Sequence, residues 1–338
     1  MLNNTLDKSV SNSVSIIINI YRLVYIINQV NVSDSQYVGI ERRVIMAVFY
    51  RRLPRFEYFL PKTIMEALSV LKKHKGSAKV FAGGTDLIPL LKRREIPTPK
   101  SVIDLKGIFG LDKLTYDESS GLSIGPLTTI SALTRSQVIM QRFPSLFQAA
   151  SSIGSPQVRN RGTFAGNICT AVPSADSAPA LLTLDATITI RDLNGERVVP
   201  IYQFFTGPRM TVLKPDEILV EISVPNPVPG SRGVYLKLSP RHSMDLAIVG
   251  VAVLGVSENG FCKNVKIALG AVAPTPIRAP IAEAILNDQR ITSDLIDEAA
   301  RNAITQCSPI DDHRASQEYR CNMIYAMTRR ALNQVFAQ

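Results

Sequence analysis

Apolar and polar positions alternate along the chain with two different periods, and the changes of period mark out its elements. From Pro61 to Lys73 the apolar residues Ala67, Leu68, Val70 and Leu71 fall on one face at helical spacing. Thr63 is placed as an N-cap, with Glu66 three residues on, the spacing of a capping box. Lys79 to Ala82 reads as a short strand that runs into Gly83-Gly84. Asp86 to Arg94 reads as a helix and Ser101 to Leu105 as a second strand, which makes a β–loop–α–β unit. Leu122 to Gly125 predicts a strand, and Thr129 to Ser136 and Pro144 to Ile153 predict helices. Ala186 to Arg191 alternates as a strand, Asn194-Gly195 turns it back into Arg197 to Pro200, and Ile218 to Val224 forms another strand.

The run Pro225-Asn226-Pro227-Val228-Pro229-Gly230 interrupts this pattern and is the best linker candidate. Beyond it, Val234 to Leu238, Ala247 to Val256 and Asn264 to Val272 predict antiparallel strands, with a turn at Asn259-Gly260. The last 60 residues are helical in pattern, with Ser293 as a candidate cap. Mixed helices and strands followed by a sheet and then helices is an α+β order. Length supports two domains, because a chain of 338 residues exceeds the roughly 100–200 residues of one domain. The expected division is a domain over 46–227, with lobes at about 55–108 and 109–227, and a C-terminal domain over 231–338. Residues 1–45 differ from the rest, being rich in Asn, Ser, Ile and Val. They are either a genuine extension or an upstream start preceding a true first residue at Met46, where the regular pattern begins.

Composition narrows the class. Hydrophobic residues are 46% and charged residues 20%, as in a soluble globular protein. The apolar stretch Ser15 to Val30 contains Arg22 and several polar residues. It falls short of the roughly 20 apolar residues that a membrane span needs, and it lacks the flanks of a secretory signal. The net charge of +10 is dispersed. Its densest run, Lys92-Arg93-Arg94, has no interleaved aromatic residues, so nucleic-acid binding is not expected; a solvated helix face or an acidic partner subunit is. Cys169, Cys262, Cys307 and Cys321 form no C-x-x-C pair and match no zinc or iron–sulfur spacing, and His74, His242 and His313 are scattered. No metal site is expected. Four reduced thiols fit a cytoplasmic location.

Two loops carry the candidate chemistry. In Val80-Phe81-Ala82-Gly83-Gly84-Thr85-Asp86-Leu87 a strand meets two glycines and then a helix start, an arrangement that lets backbone N–H groups approach an anion. A tight turn without a ligand accounts for the same residues. The second loop, Arg159-Asn160-Arg161-Gly162-Thr163-Phe164-Ala165-Gly166-Asn167, has a similar make-up, and two such loops suit a ligand with two phosphates. Asp176, in Pro173-Ser174-Ala175-Asp176, is either a helix N-cap or a partner for a sugar hydroxyl. Lys237, on a strand, reads by spacing alone as a surface lysine.

From about Arg55 to Asn333 the chain resembles the FAD-binding medium subunit of the molybdenum hydroxylases, the carbon monoxide dehydrogenase, xanthine dehydrogenase and aldehyde oxidoreductase group. The resemblance rests on Ala82-Gly83-Gly84-Thr85-Asp86-Leu87, on Thr163-Phe164-Ala165-Gly166-Asn167-Ile168 (with Ala165 where the family usually has glycine), and on Ile124-Gly125-Pro126-Leu127-Thr128-Thr129. It extends to Leu269-Gly270-Ala271-Val272-Ala273-Pro274-Thr275-Pro276-Ile277-Arg278 and to Asp312-His313-Arg314-Ala315-Ser316-Gln317-Glu318-Tyr319-Arg320. It implies a two-lobed mixed α/β FAD-binding domain of the PCMH type, followed by a C-terminal domain of an antiparallel sheet with helices.

The resemblance also implies the site and the partners. The FAD diphosphate is expected between the two loops, with Val80, Phe81, Ala82, Gly83, Gly84, Thr85, Asp86 and Leu87 on one side and Thr163, Phe164, Ala165, Gly166 and Asn167 on the other. Ile153, Leu219, Asp176 and Lys237 are expected beside the cofactor. Arg241, Asp245 and Arg314 are expected in ion pairs or interfaces, and no residue of this chain is expected to be catalytic. Substrate oxidation would occur on a molybdopterin-binding large subunit, and electrons would reach the FAD through [2Fe-2S] clusters of a small subunit and leave to an external acceptor. The expected assembly is a dimer of heterotrimers. Two alternatives stand beside this: a stand-alone flavin reductase related to UDP-N-acetylenolpyruvoylglucosamine reductase, and a non-catalytic assembly subunit that has lost FAD.

Overall fold

A computed structural model describes residues 52–336 apart from Lys75 and His242. The expectations for residues 1–45 therefore lie outside the described residues. The first lobe contains β1 (Glu57–Phe59), α1 (Ile64–His74), β2 (Ala78–Phe81), α2 (Leu87–Arg93) and β3 (Ser101–Asp104). Its three strands are parallel, in the order β1-β3-β2. Ala67, Leu68 and Leu71 of α1 pack with Ile103, Leu105 and Ile108 to form its core. Thr63 caps α1 as expected, accepting from the Glu66 N–H at 3.2 Å. The return bond shifts by one residue, since the Glu66 carboxylate takes the N–H of Lys62 at 2.7 Å.

The second lobe comprises β4 (Leu114–Asp117), β5 (Gly121–Ile124), α3 (Ile130–Arg135), α4 (Gln137–Arg142), α5 (Pro144–Ser152), α6 (Pro156–Arg159), α7 (Phe164–Thr170) and α8 (Ser177–Thr183). It continues through β6 (Thr187–Arg191), β7 (Glu196–Pro200), α9 (Ile201–Phe204), β8 (Phe205–Gly207), β9 (Met210–Thr211) and β10 (Ile218–Val224). Five strands form an antiparallel sheet in the order β4-β5-β10-β6-β7, and β8 and β9 stand apart as a small hairpin. The Asn194-Gly195 turn joins β6 to β7 as expected, with Asp192 accepting from both backbone N–H groups.

The last section holds β11 (Arg232–Leu238), β12 (Val249–Glu258), β13 (Phe261–Gly270), β14 (Ile277–Arg278), α10 (Pro280–Leu286), α11 (Ser293–Thr305) and α12 (Gln317–Phe336). Its antiparallel sheet runs β11-β12-β13-β14. One face, through Val249, Val251, Val253, Ile267 and Leu269, shares a core with Leu286 of α10, Ile296 of α11 and Ile324, Leu332 and Phe336 of α12. The other face sends Tyr235, Ala252, Leu254 and Ala268 into the core of the second lobe. Burial on both faces explains why Val249 to Leu254 is a continuous apolar run and not an alternating one. The cap of α11 is Thr292, not Ser293: Thr292 has the extended backbone of a cap, and its hydroxyl accepts from the Leu295 N–H at 3.2 Å.

A buried arginine fastens α12 to this sheet. Arg320 donates to the carbonyls of Ile248 (2.5 Å) and Ala271 (3.3 Å) and to Asp312 at 2.8 Å. Burial works to raise the Asp312 carboxyl, but the N–H groups of Arg314 and Ala315 and the Arg320 guanidinium outweigh it and bring it down to about 2. A depressed carboxyl stabilises the fold fully above its unfolded value of about 3.9, and the contribution is lost as pH falls through about 2. Arg320→Met leaves the carboxylate and two carbonyls without this donor and is expected to cost about 3–5 kcal/mol. Urea midpoints measured from pH 7 to pH 2 check this, with the gap from the natural chain narrowing below about pH 4.

Candidate functional site

The two glycine-bearing loops, which are far apart in the chain, meet along one cavity of about 580 Å³. The first loop leaves β2 at Phe81 and enters α2 at Leu87. Gly84 has a left-handed backbone at φ +76°, and a Cβ there would lie 2.2 Å from the Phe81 ring. Gly83 is glycine for a different reason: a Cβ would sit 2.1 Å from the Arg161 carbonyl oxygen and 2.8 Å from the Gly162 Cα. The two loops therefore touch backbone to backbone. Among the described residues, the N–H groups of Gly83, Gly84, Thr85 and Asp86 donate to no protein acceptor, although all four residues line the cavity. Free N–H groups that lead into a helix and remain open to the cavity offer ready partners to an anion there.

The second loop is held from behind. The Ile130 N–H donates to the Gly162 carbonyl at 2.9 Å, and the Phe164 N–H donates to the Thr128 carbonyl at 3.3 Å. Thr163 caps α7, accepting from the Gly166 N–H at 3.0 Å. Ala165 lies in the first turn of α7 with a negative φ, so its methyl group introduces no backbone strain. Its N–H is a further donor without a protein acceptor among the described residues. Asn167 is oriented by Ser177, whose hydroxyl donates to Oδ1 at 2.5 Å and leaves the amide N–H₂ available to the cavity.

Asp176 shows a third feature. It directly precedes α8 but makes no side-chain cap bond. Its Oδ1 accepts from the Tyr235 hydroxyl at 2.6 Å and its Oδ2 from Lys237 Nζ at 2.8 Å. Lys237 spends its other two donors on the carbonyls of Ser152 (3.1 Å) and Asp245 (2.8 Å). Lys237 is therefore no surface lysine; it lies behind Asp176 and fixes the carboxylate that faces the cavity. Burial raises the Asp176 carboxyl, against the opposing pull of Lys237 and Tyr235. Burial and the Asp176 charge also push the Tyr235 phenol well up, so it stays a donor.

All the expected site residues line the cavity except Phe164 and Lys237. Phe164 occupies the first position of α7, turned away from the cavity, and is completely buried in the second lobe's core. Several lining residues escaped the sequence reading. Thr170 donates to Asp86 Oδ2 at 3.3 Å, while Arg209 and Leu246 close the cavity from the β8–β9 hairpin and from the segment after β11. The one sequence signal for Arg209 is its place after Gly207-Pro208, in a turn. Arg241–Asp245 (3.1 Å) and Arg314–Asp312 (2.9 Å) are ion pairs, as expected. Cys169 lines the cavity too, but burial holds its thiol up at about 12, so it stays protonated. Among the described residues, no cluster of His, Cys, Asp and Glu could hold a metal ion, and no helix is long and apolar enough to cross a membrane.

Asp86 is the cavity carboxylate with the least support. Burial raises its pKa, and only the Thr170 hydroxyl and the field of Arg209 oppose that. A raised carboxyl favours folding below its unfolded value, and this advantage is lost as pH rises through the folded value. Asp86 is exposed to solvent, which screens its charge, so Asp86→Asn is expected to raise the urea midpoint of the ligand-free chain at pH 7 only slightly. The gain should vanish below about pH 3.9, and chemical denaturation at both pH values tests it.

Comparison with known proteins agrees with this architecture. The family model described as "FAD binding domain in molybdopterin dehydrogenase" matches residues 54–227, and the one described as "CO dehydrogenase flavoprotein C-terminal domain" matches residues 234–335. The chain is 36% identical over 285 residues to the carbon monoxide dehydrogenase medium chain of Hydrogenophaga pseudoflava, covering 84% of this chain and 98% of that one. It is 33% identical to the xanthine dehydrogenase FAD-binding subunit of Escherichia coli O157:H7, covering 83% and 96%. A solved structure of carbon monoxide dehydrogenase from Hydrogenophaga pseudoflava superposes with a TM-score of 0.82 at 37% identity, covering 85% of this chain and 99% of that one. The chain thus belongs to the family of FAD-binding medium subunits of the molybdenum hydroxylases.

Proposed function

We propose that the cavity holds FAD with its diphosphate between the Ala82–Asp86 loop and the Thr163–Asn167 loop. In this reading the chain takes electrons from [2Fe-2S] clusters of a partner subunit and passes them from the flavin to an external acceptor. The observation that carries it is the set of unpaired N–H groups at Gly83, Gly84, Thr85, Asp86 and Ala165, brought to one cavity by two loops. A diphosphate supplies the acceptors those donors lack. Bound FAD supplies the electron-carrying chemistry, and the protein binds and orients it.

The chain's own residues have separate tasks. Thr85, Thr163 and the Asn167 amide offer side-chain donors beside the loops. Asp86 and Asp176 offer carboxylate acceptors for sugar or ribityl hydroxyls, and Lys237 with Tyr235 holds Asp176 in place. Val80, Phe81, Ala82, Leu87, Ile153 and Leu219 supply apolar wall that excludes water. Residues 46–227 would form the FAD-binding domain and 231–338 the C-terminal domain. The partners are a molybdopterin-binding large subunit and a [2Fe-2S] small subunit, in a dimer of heterotrimers in the cytoplasm.

The full chain is expected to bind one FAD, seen as quenching of flavin fluorescence on titration. Gly83→Ala must push the loops apart and Gly84→Ala must strain a left-handed residue. At about 1–3 kcal/mol of strain, each is expected to weaken FAD binding by roughly ten- to a hundredfold. A folded natural chain that neither quenches flavin fluorescence nor retains flavin would refute the cofactor. Native mass spectrometry of the assembled complex is expected to give this chain and both partners in equal numbers, two of each. A complex lacking either partner would refute the proposed electron route.

A further inference from the structure

Arg209 sits in an unusual turn. Gly207 pairs with Met210 across the β8–β9 hairpin, leaving Pro208 and Arg209 as the two corner residues. Arg209 has φ +60°, in the left-handed region. Proline followed by a left-handed residue is the order of a type II turn, and its second corner favours glycine. A long charged side chain therefore stands where a glycine would be easier. The backbone is pinned by the Arg209 N–H, which donates to the Ala171 carbonyl at 2.8 Å, just past the end of α7.

Arg209 lines the cavity from an exposed position, and among the described residues its guanidinium makes no hydrogen bond or ion pair with the protein. Most other charges along the cavity wall are already balanced. Asp176 is paired with Lys237 at 2.8 Å, Glu217 with Arg197 at 2.7 Å and Asp245 with Arg241 at 3.1 Å. Asp86 accepts only a hydroxyl, from Thr170. The unpaired N–H groups invite a doubly charged diphosphate, yet they bring no full positive charge to offset it. Lys79 and Arg209 are the cavity cations that, among the described residues, make no ion pair or hydrogen bond through their side chains. Arg209 is the one whose field reaches Asp86, at the end of the first loop, where four of the free donors lie; the same field reaches Glu95, which is already paired with Arg93. A guanidinium presents planar paired donors that match phosphate oxygens.

We propose that Arg209 is the cation that neutralises the FAD diphosphate, reaching it from the β8–β9 hairpin, and that its strained backbone is kept for that contact. This inference rests on the reading that the cavity holds FAD. It adds a third contributor to the two loops and makes cofactor affinity sensitive to ionic strength.

The test uses the full chain freed of flavin, titrated with FAD and, as a diphosphate probe without flavin, with ADP, each at low and high salt. Arg209→Gln is expected to weaken both ligands at least tenfold at low salt and to flatten the salt dependence. Arg209→Lys should keep part of the salt dependence, and Lys79→Gln should leave both affinities close to those of the natural chain. Arg209→Gly separates binding from folding, because it relieves the left-handed strain. It is expected to raise the urea midpoint of the flavin-free chain while lowering FAD and ADP affinity. Unchanged FAD and ADP binding in Arg209→Gln would overturn the proposal, including the case in which the variant instead raises KM for the electron acceptor in the complex. So would a loss that follows Lys79→Gln and not Arg209→Gln. If the folded natural chain itself binds no FAD, the reading of the cavity fails, not the assignment of Arg209 alone.

Discussion

The site depends on one contact, the backbone of Gly83 against the backbone of Arg161 and Gly162. No side chain fits between these loops. Their separation is set by the absence of a Cβ, and the free donors on the two loops can address a single ligand only because the loops are this close. Everything around the contact serves to hold it. The parallel sheet of the first lobe delivers one loop at the end of β2. The bonds from Ile130 to Gly162 and from Phe164 to Thr128 hold the other in the second lobe. A cavity wall formed in this way has rigid donors, since backbone N–H groups fixed by flanking secondary structure need no rotamer ordering when a ligand arrives.

The C-terminal sheet does more than add bulk. Tyr235 and Lys237 project from β11 to opposite oxygens of Asp176, which belongs to the second lobe. A buried carboxylate without such partners would protonate or destabilise the fold. The same sheet passes Tyr235, Ala252, Leu254 and Ala268 into the second lobe's core. The orientation of a cavity carboxylate and the packing of the last hundred residues are therefore one problem. This gives a physical reason for the C-terminal section to accompany the two lobes.

Much of the architecture was legible in the sequence, for reasons that can be named. The α1 face, the Asn194-Gly195 hairpin and β10 follow from local periodicity and turn chemistry, and the capping role of Thr63 follows from a spacing of three residues. The elements that escaped are short ones: β1, β4, β14, the β8–β9 hairpin, α4 and the helices from α6 to α9. Strands of two to four residues and helices of two turns or fewer are too short to establish a hydrophobic period, so such elements exist by virtue of tertiary contacts. Phe164, expected beside the cofactor, does not line the cavity, because loop membership says nothing about direction. Once Thr163 is a helix cap, the first helical side chain points into the core and only its neighbours face the cavity. Tyr235 was invisible as a site residue because its role is to hold another side chain across 59 positions of sequence.

Ala165 shows most clearly what a sequence comparison leaves undecided. A methyl group in this loop, beside Gly166, raises the question of whether the backbone can still approach an anion. The answer depends on which of two demands the position meets. At Gly83 the demand is steric, because another backbone occupies the place of the Cβ, and at Gly84 it is conformational, because φ is positive. Ala165 meets neither condition: its backbone is helical, and its side chain joins the buried core of the second lobe. What the position contributes to the cavity is an N–H in the first turn of a helix, and alanine supplies that as well as glycine does. The clamp therefore has glycine where geometry requires it: at Gly83 and Gly84 in the first loop, and at Gly166 in the second, where a Cβ would lie 2.8 Å from the Thr163 hydroxyl that caps α7. In the second loop alanine replaces a left-handed option that is not used with a residue of higher helix propensity, which favours the turn that aims the donor.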